Sequence, residues 1–115
     1  MTGNDIYTRT MLLLGYNDHS GSIAGEEALK IRALAAINTI GAELCRMPSI
    51  QSLDDAVALI ERQAEAAVWG VGMLLAGSEA DGQRGKLFCE LYNLKRAGVL
   101  AGADRINDTL PVAGG

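Results

Sequence analysis

The chain has 115 residues, a length that gives one domain and leaves no room for a second core. Hydrophobic residues make up 49% and charged residues 21%, which excludes a disordered chain, and a net charge of −4 with scattered Lys and Arg makes it a poor candidate for gripping duplex DNA. Aromatics are only 4% (Trp69, Phe88, Tyr7, Tyr16 and Tyr92), so the core must rest on Ala, Leu, Ile and Val, a composition that favours close-packed helices over a β-sandwich.

The first predicted helix covers residues 4–14, with Thr2 and Asp5 spaced as a capping box and Tyr7, Met11 and Leu14 on one face. Gly15 stops it. Residues 16–25 are rich in turn formers and read as a loop. The second helix, residues 26–47, has the clearest period: Leu29, Ala33, Ala36, Ile37, Ile40, Leu44 and Met47 share an arc of roughly 100°. Glu26 and Glu27 suit its positive N-terminal end, Glu26 can pair with Lys30, Arg46 lies in the last turn, and Pro48 ends it. Ile31 and Leu34 fall outside the arc, beside Glu27, Lys30 and Asn38. They are either scattered surface hydrophobes or a contact for another subunit.

Residues 49–59 admit two readings. Ser52-Leu53-Asp54-Asp55 is a capping signal, so a helix can start at Leu53 and run to Glu79; alternatively residues 56–59 are a short extended piece before a helix beginning near Glu61. Residues 61–80 are helical in pattern, and Gly70, Gly72, Ala76 and Gly77 let another helix approach closely. A turn at 79–82 leads to the fourth helix, about 83–100, with Leu87, Phe88, Leu91 and Leu94 on one face and Lys86, Glu90, Asn93 and Arg96 on the other. After Ala101 the helical period is lost among Gly102, Pro111, Gly114 and Gly115, yet Ile106, Leu110 and Val112 remain. The expected architecture is therefore all-α: a small bundle of about four helices over residues 1–101 and an extended C-terminal tail over 102–115. The tail either docks on a partner by adding to an edge or lies on its own domain.

Catalytic chemistry is poorly supplied. His19, the one histidine, stands beside Asp18 and Ser20, but sequence neighbours do not converge as a triad must. The carboxylate pairs Glu26/Glu27 and Asp54/Asp55 read as helix-start residues. One His and two separated Cys do not make a metal site, and Cys45 and Cys89 read as small free hydrophobes of a reducing compartment. Gly82-Gln83-Arg84-Gly85-Lys86 lacks the upstream glycine and following Ser or Thr of a phosphate loop; Gly70-Val71-Gly72 lacks a third glycine and a preceding strand. No catalytic, cofactor or metal residue is expected. The start of the chain lacks the order of a signal peptide, and the apolar run 66–77 is too short to span a membrane, so a cytosolic protein is expected.

The order of features has a known counterpart. The run from Ile6-Tyr7 to Leu13-Leu14-Gly15-Tyr16, the helix ending Glu43-Leu44-Cys45-Arg46, the turn Ser52-Leu53-Asp54-Asp55, the helix with Trp69-Gly70-Val71-Gly72-Met73-Leu74-Leu75-Ala76, the helix with Leu91-Tyr92-Asn93-Leu94-Lys95-Arg96-Ala97 and the closing Arg105-Ile106-Asn107-Asp108-Thr109-Leu110-Pro111 together resemble small head–tail connector (adaptor) proteins of long-tailed bacteriophages and prophages. The resemblance covers nearly the whole chain and rests on order more than on any one motif. Trp69 departs from it, standing where a smaller aromatic after Pro is expected. It implies a helical, non-enzymatic structural protein of the virion neck, made in the host cytoplasm, that assembles with itself as a ring under the portal protein, extends the DNA channel and receives the next neck or tail-completion protein. DNA would then pass through an acidic lumen without specific binding. Ile31 and Leu34 become candidate lateral contacts, and Ile106, Leu110 and Val112 candidate contacts to the portal or a neighbouring subunit. Two other readings stay open: a small helical DNA-binding or DNA-packaging accessory protein, with a helix-turn-helix led by Ser52, and a helical enzyme subunit using His19.

Overall fold

The computed structural model describes residues 1–15, 26–76 and 82–114, and within the last segment the side chains of residues 85–101. Four helices carry the chain: α1 (Gly3–Leu13), α2 (Glu26–Cys45), α3 (Glu61–Ala76) and α4 (Gly82–Gly114). The fold is all-α. Among the described residues the only β-type pairing is an isolated bridge between Thr2 and Ala56.

α1 starts as its sequence dictates. The Asp5 carboxylate accepts the Thr2 backbone N–H at 2.8 Å, one half of the capping box, and this bond holds the Asp5 carboxyl below the usual range. Ile6, Tyr7, Thr10, Met11 and Leu14 are buried. The buried Thr10 hydroxyl is satisfied by donating to the Ile6 carbonyl at 2.8 Å. Gly15, at φ 98°, ends the helix in the left-handed region where glycine carries no Cβ penalty. α2 ends at Cys45, two residues short of the expected 47, and buries six residues of the predicted arc, while Met47 is buried by the turn that follows; the Glu26–Lys30 pair forms at 3.4 Å, with Lys30 Nζ 5.9 Å above the Tyr7 ring. Its end is not made by Pro48 alone. Arg46 takes φ 56°, its N–H donates to Ala42 O, and the Met47 N–H turns back to Gly41 O at 3.1 Å. Gly41 leaves room for this: a Cβ there would lie 2.7 Å from the Met47 methyl.

Of the two readings of residues 49–59, the extended one is found. The Ser52 signal does organise its turn, with Asp55 accepting the N–H groups of Gln51 (2.9 Å) and Ser52 (3.1 Å). Helix does not propagate, because the start of the chain takes those backbone groups: Gly3 N–H donates to Asp55 O, Asn4 N–H to Leu53 O, and Val57 N–H to Met1 O. Asn38 clamps the same connection from α2, its amide accepting the Ile50 N–H at 2.9 Å and donating to the Ile50 carbonyl at 3.0 Å. α3 then begins at Glu61, where the Gln63 side chain reaches back to the Ile60 N–H at 3.0 Å.

α3 is the central helix and packs on all three others, most extensively on α4. It is buried nearly all round, as Ala64, Ala66, Ala67, Val68, Val71 and Leu75 show. Its glycines are notches for aromatic side chains of the same chain. A Cβ on Gly72 would fall 2.3 Å from the Phe88 ring, and one on Gly70 2.8 Å from the Tyr92 ring and 2.9 Å from Ile40. Phe88 is held from the side by Trp69, ring centroids 5.1 Å apart and edge-on.

This seating corrects the predicted face of α4. Phe88, Tyr92 and Val99 are buried, Leu91 is half-buried, and Leu87 and Leu94 point outward. Rings entering glycine notches bury more surface than leucines on the neighbouring flank would, so they set the rotation of the helix. The backbone of residues 102–114 continues α4, which runs to Gly114. Adding residues to an existing helix avoids the cost of nucleation.

Candidate interaction surfaces

Two apolar surfaces lie on opposite flanks of α1. At 3.6 residues per turn, Asn4 and Leu13 are about 180° apart, with the buried line of Ile6, Tyr7 and Met11 between them.

The first surface belongs to α2. Ile31 is 69% exposed, and Leu34, one turn on, is half-buried at the edge of the core. With Leu53 from the connection they line a shallow hollow of about 380 Å³ whose rim includes Glu27, Lys30 and Asp54. Lys30 is drawn to Glu26, and Asp54 accepts the Asn4 amide at 2.7 Å. Leu34 thus props Ile31, one anchored in the core and the other in solvent.

The second surface was not singled out by sequence reasoning. Leu12 (48% exposed) and Leu13 (41%) of α1 line a hollow of about 400 Å³ together with the half-buried Trp69 and the buried Val68 of α3. A second hollow of about 400 Å³, lined by Arg62 and by Leu94, Gly98 and Val99 of α4, shares Glu65 and Lys95 with it, so the two form one groove. Leu94 is 69% exposed. A signal was present in the sequence: the leucine face of α4 lies about 100° from the face that carries Tyr92 and Val99, and one helix cannot bury both against a single neighbour.

Asp54 and Asp55, expected as helix-start residues, instead hold the 51–55 turn and the start of α1. Cys45 and Cys89 are half-buried free thiols; Cys45 Sγ lies 3.6 Å from Gly41 O. Among the described residues no group of His, Cys, Asp and Glu converges as a metal site, and no helix is long and apolar enough to cross a membrane. His19 and Gly77, and the side chains of Ile106, Leu110 and Val112, lie outside the described residues.

Glu43 ties α2 to α4. Its Oε1 accepts the Tyr92 hydroxyl at 2.7 Å and pairs with Arg96 Nε at 2.9 Å. Burial, with the bond to Glu43, pushes the Tyr92 phenol well above its ordinary value of 10.

Comparison with protein families, curated proteins and solved structures gives no match to this chain.

Proposed function

We propose that this chain is a structural protein of the phage or prophage neck, a head–tail connector that forms a ring under the portal, extends the DNA channel and receives the next neck or tail-completion protein. The observation that carries the reading is the order of motifs along nearly the whole sequence, from Ile6-Tyr7 to Leu110-Pro111. Two features of the fold support it. The chain is a helical bundle of the kind the resemblance implies. Ile31 and Leu34, the candidate lateral contacts, form an accessible apolar strip on α2. In this reading the end of α4, with Ile106, Leu110 and Val112, reaches the portal or an adjacent subunit, and the net charge of −4 keeps DNA phosphates from adhering to the lumen.

The test is reconstitution with the portal protein of the same phage or prophage. Electron microscopy is expected to show rings of the protein stacked on portal rings, and removal of residues 102–115 is expected to weaken capture by immobilised portal. Absence of both rings and portal binding across salt and protein concentration sinks the reading. Salt-dependent binding to duplex DNA in a gel shift would instead favour the accessory DNA-binding role.

A further inference from the structure

The two apolar surfaces are opposite in charge, and one of them carries a protruding side chain. Ile31, 69% exposed, stands as a ridge beside the shallow hollow that it lines with Leu34 and Leu53, and the rim there carries Glu27 and Asp54 while Lys30 is engaged by Glu26. The groove between α1, α3 and α4 is concave and apolar along Leu13, Trp69 and Leu94, and its rim carries Arg62 and Lys95 against the single carboxylate of Glu65. Arg9, at the same rim, is taken up by Glu61 at 2.9 Å. From these features we infer that the groove seats the Ile31–Leu34 ridge of a second copy of the chain, with Glu27 and Asp54 of one copy meeting Arg62 and Lys95 of the other.

A two-fold contact pairs one patch with itself, whereas a ridge and a groove on opposite flanks of α1 leave a free ridge at one end and a free groove at the other after each contact. Such a contact repeats head to tail and closes into a ring when the rotation per copy divides a full turn. It accounts for the outward Leu94 of α4, an apolar side chain that the protomer alone leaves 69% exposed. The inference deepens the connector reading and rests on it for the ring, though the contact itself is defined by the two surfaces.

An isolated contact of this kind is expected to be weak, with dissociation in the region of roughly 0.1 mM. The test uses two variants with complementary defects: Ile31→Asp, which spoils the ridge and keeps the groove, and Leu94→Asp, which does the reverse. Both positions are 69% exposed, and thermal melts followed by circular dichroism check that each variant folds; Ile31→Ser and Leu94→Ser replace either that does not. In sedimentation velocity up to about 1 mM, the wild-type chain is expected to grow with concentration and each variant to remain monomeric. The equimolar mixture, holding one intact ridge and one intact groove, is expected to stop at dimer. Trp69, the one tryptophan, lines the groove, so its emission is expected to shift blue in the wild type and in the mixture and in neither variant alone. A wild-type chain that stays monomeric, a variant that associates as the wild type does, or a mixture that stays monomeric overturns the contact. Portal binding by the wild type separates the two proposals: binding without a dimer in the mixture leaves the connector reading standing and removes the contact, and a dimer without portal binding does the opposite.

Discussion

Arg46 ends α2 in a conformation that costs an L-residue about 1–2 kcal/mol and glycine almost nothing. Its side chain is exposed, so little contact is lost on replacement. Part of the gain is offset by the greater freedom of glycine in the unfolded chain. Arg46→Gly is therefore expected to raise stability by about 0.5–1 kcal/mol in urea denaturation, and unchanged or lower stability would show that the Arg46 side chain contributes more than its exposure suggests. Asn38 presents the opposite case. It sits among polar residues on the outer side of α2, where its sequence position marks it as ordinary surface, yet both halves of its amide are bound to the backbone of Ile50. Asn38→Ala leaves one N–H and one carbonyl unpaired and is expected to cost about 1–3 kcal/mol. Asn38→Asp keeps the acceptor for the Ile50 N–H, loses the donor to its carbonyl, and is expected to be destabilising as well, measured in the same titration.

Between elements, the controlling contacts are rings in notches and one shared carboxylate. Gly72→Ala places a methyl 2.3 Å from the Phe88 ring, which is buried and held by Trp69, so the ring must move. The expected cost is about 1–3 kcal/mol, read from the melting curve, with partial recovery in the Gly72→Ala, Phe88→Leu double variant. At the α2–α4 tie, Tyr92 holds its proton more tightly folded than unfolded, since burial and Glu43 both oppose the phenolate. Its contribution is complete below pH 10 and falls as pH rises above 10 toward the higher folded value. Stability of the wild type is expected to decline between pH 10 and 11.5, and the decline is expected to be shallower in Tyr92→Phe, which at neutral pH loses about 1 kcal/mol for the hydroxyl bond. Equal slopes in the two proteins would remove Tyr92 as the source. The rotation of α4 was illegible from its own period, because Leu87, Leu91 and Leu94 make as good a face as Phe88, Tyr92 and Val99. The choice is made on another helix, by Gly70 and Gly72. The arc of α2, by contrast, is legible, since its apolar residues offer one packing solution and all are buried, Met47 from the turn just past the helix.

At the scale of the molecule, what the sequence leaves open is settled by contacts far apart in the chain. The Ser52 signal reads as a helix cap that leaves two outcomes open, and which one follows depends on Met1, Gly3 and Asn4, some fifty residues away, claiming the backbone of Leu53, Asp55 and Val57. The α2 strip was visible as Ile31 and Leu34 outside the main arc, whereas the groove, assembled from three helices, has no linear signature. That long-range pairing has a kinetic consequence. The Thr2–Ala56 bridge closes a loop of roughly fifty residues, for which the logarithmic scaling of loop entropy gives a cost of about 3.5 kcal/mol before the contact yields anything. The α3–α4 hairpin faces a far shorter closure. Refolding is expected to run from the back of the chain to its front: pulsed hydrogen exchange should protect amides of α3 and α4 first and those of Asn4 and Val57 last, and the reverse order would show that α1 nucleates the fold. A chain emerging N-terminus first would then wait, its α1 without the partner that fixes the connection, until residue 57 and the helices beyond it had been made.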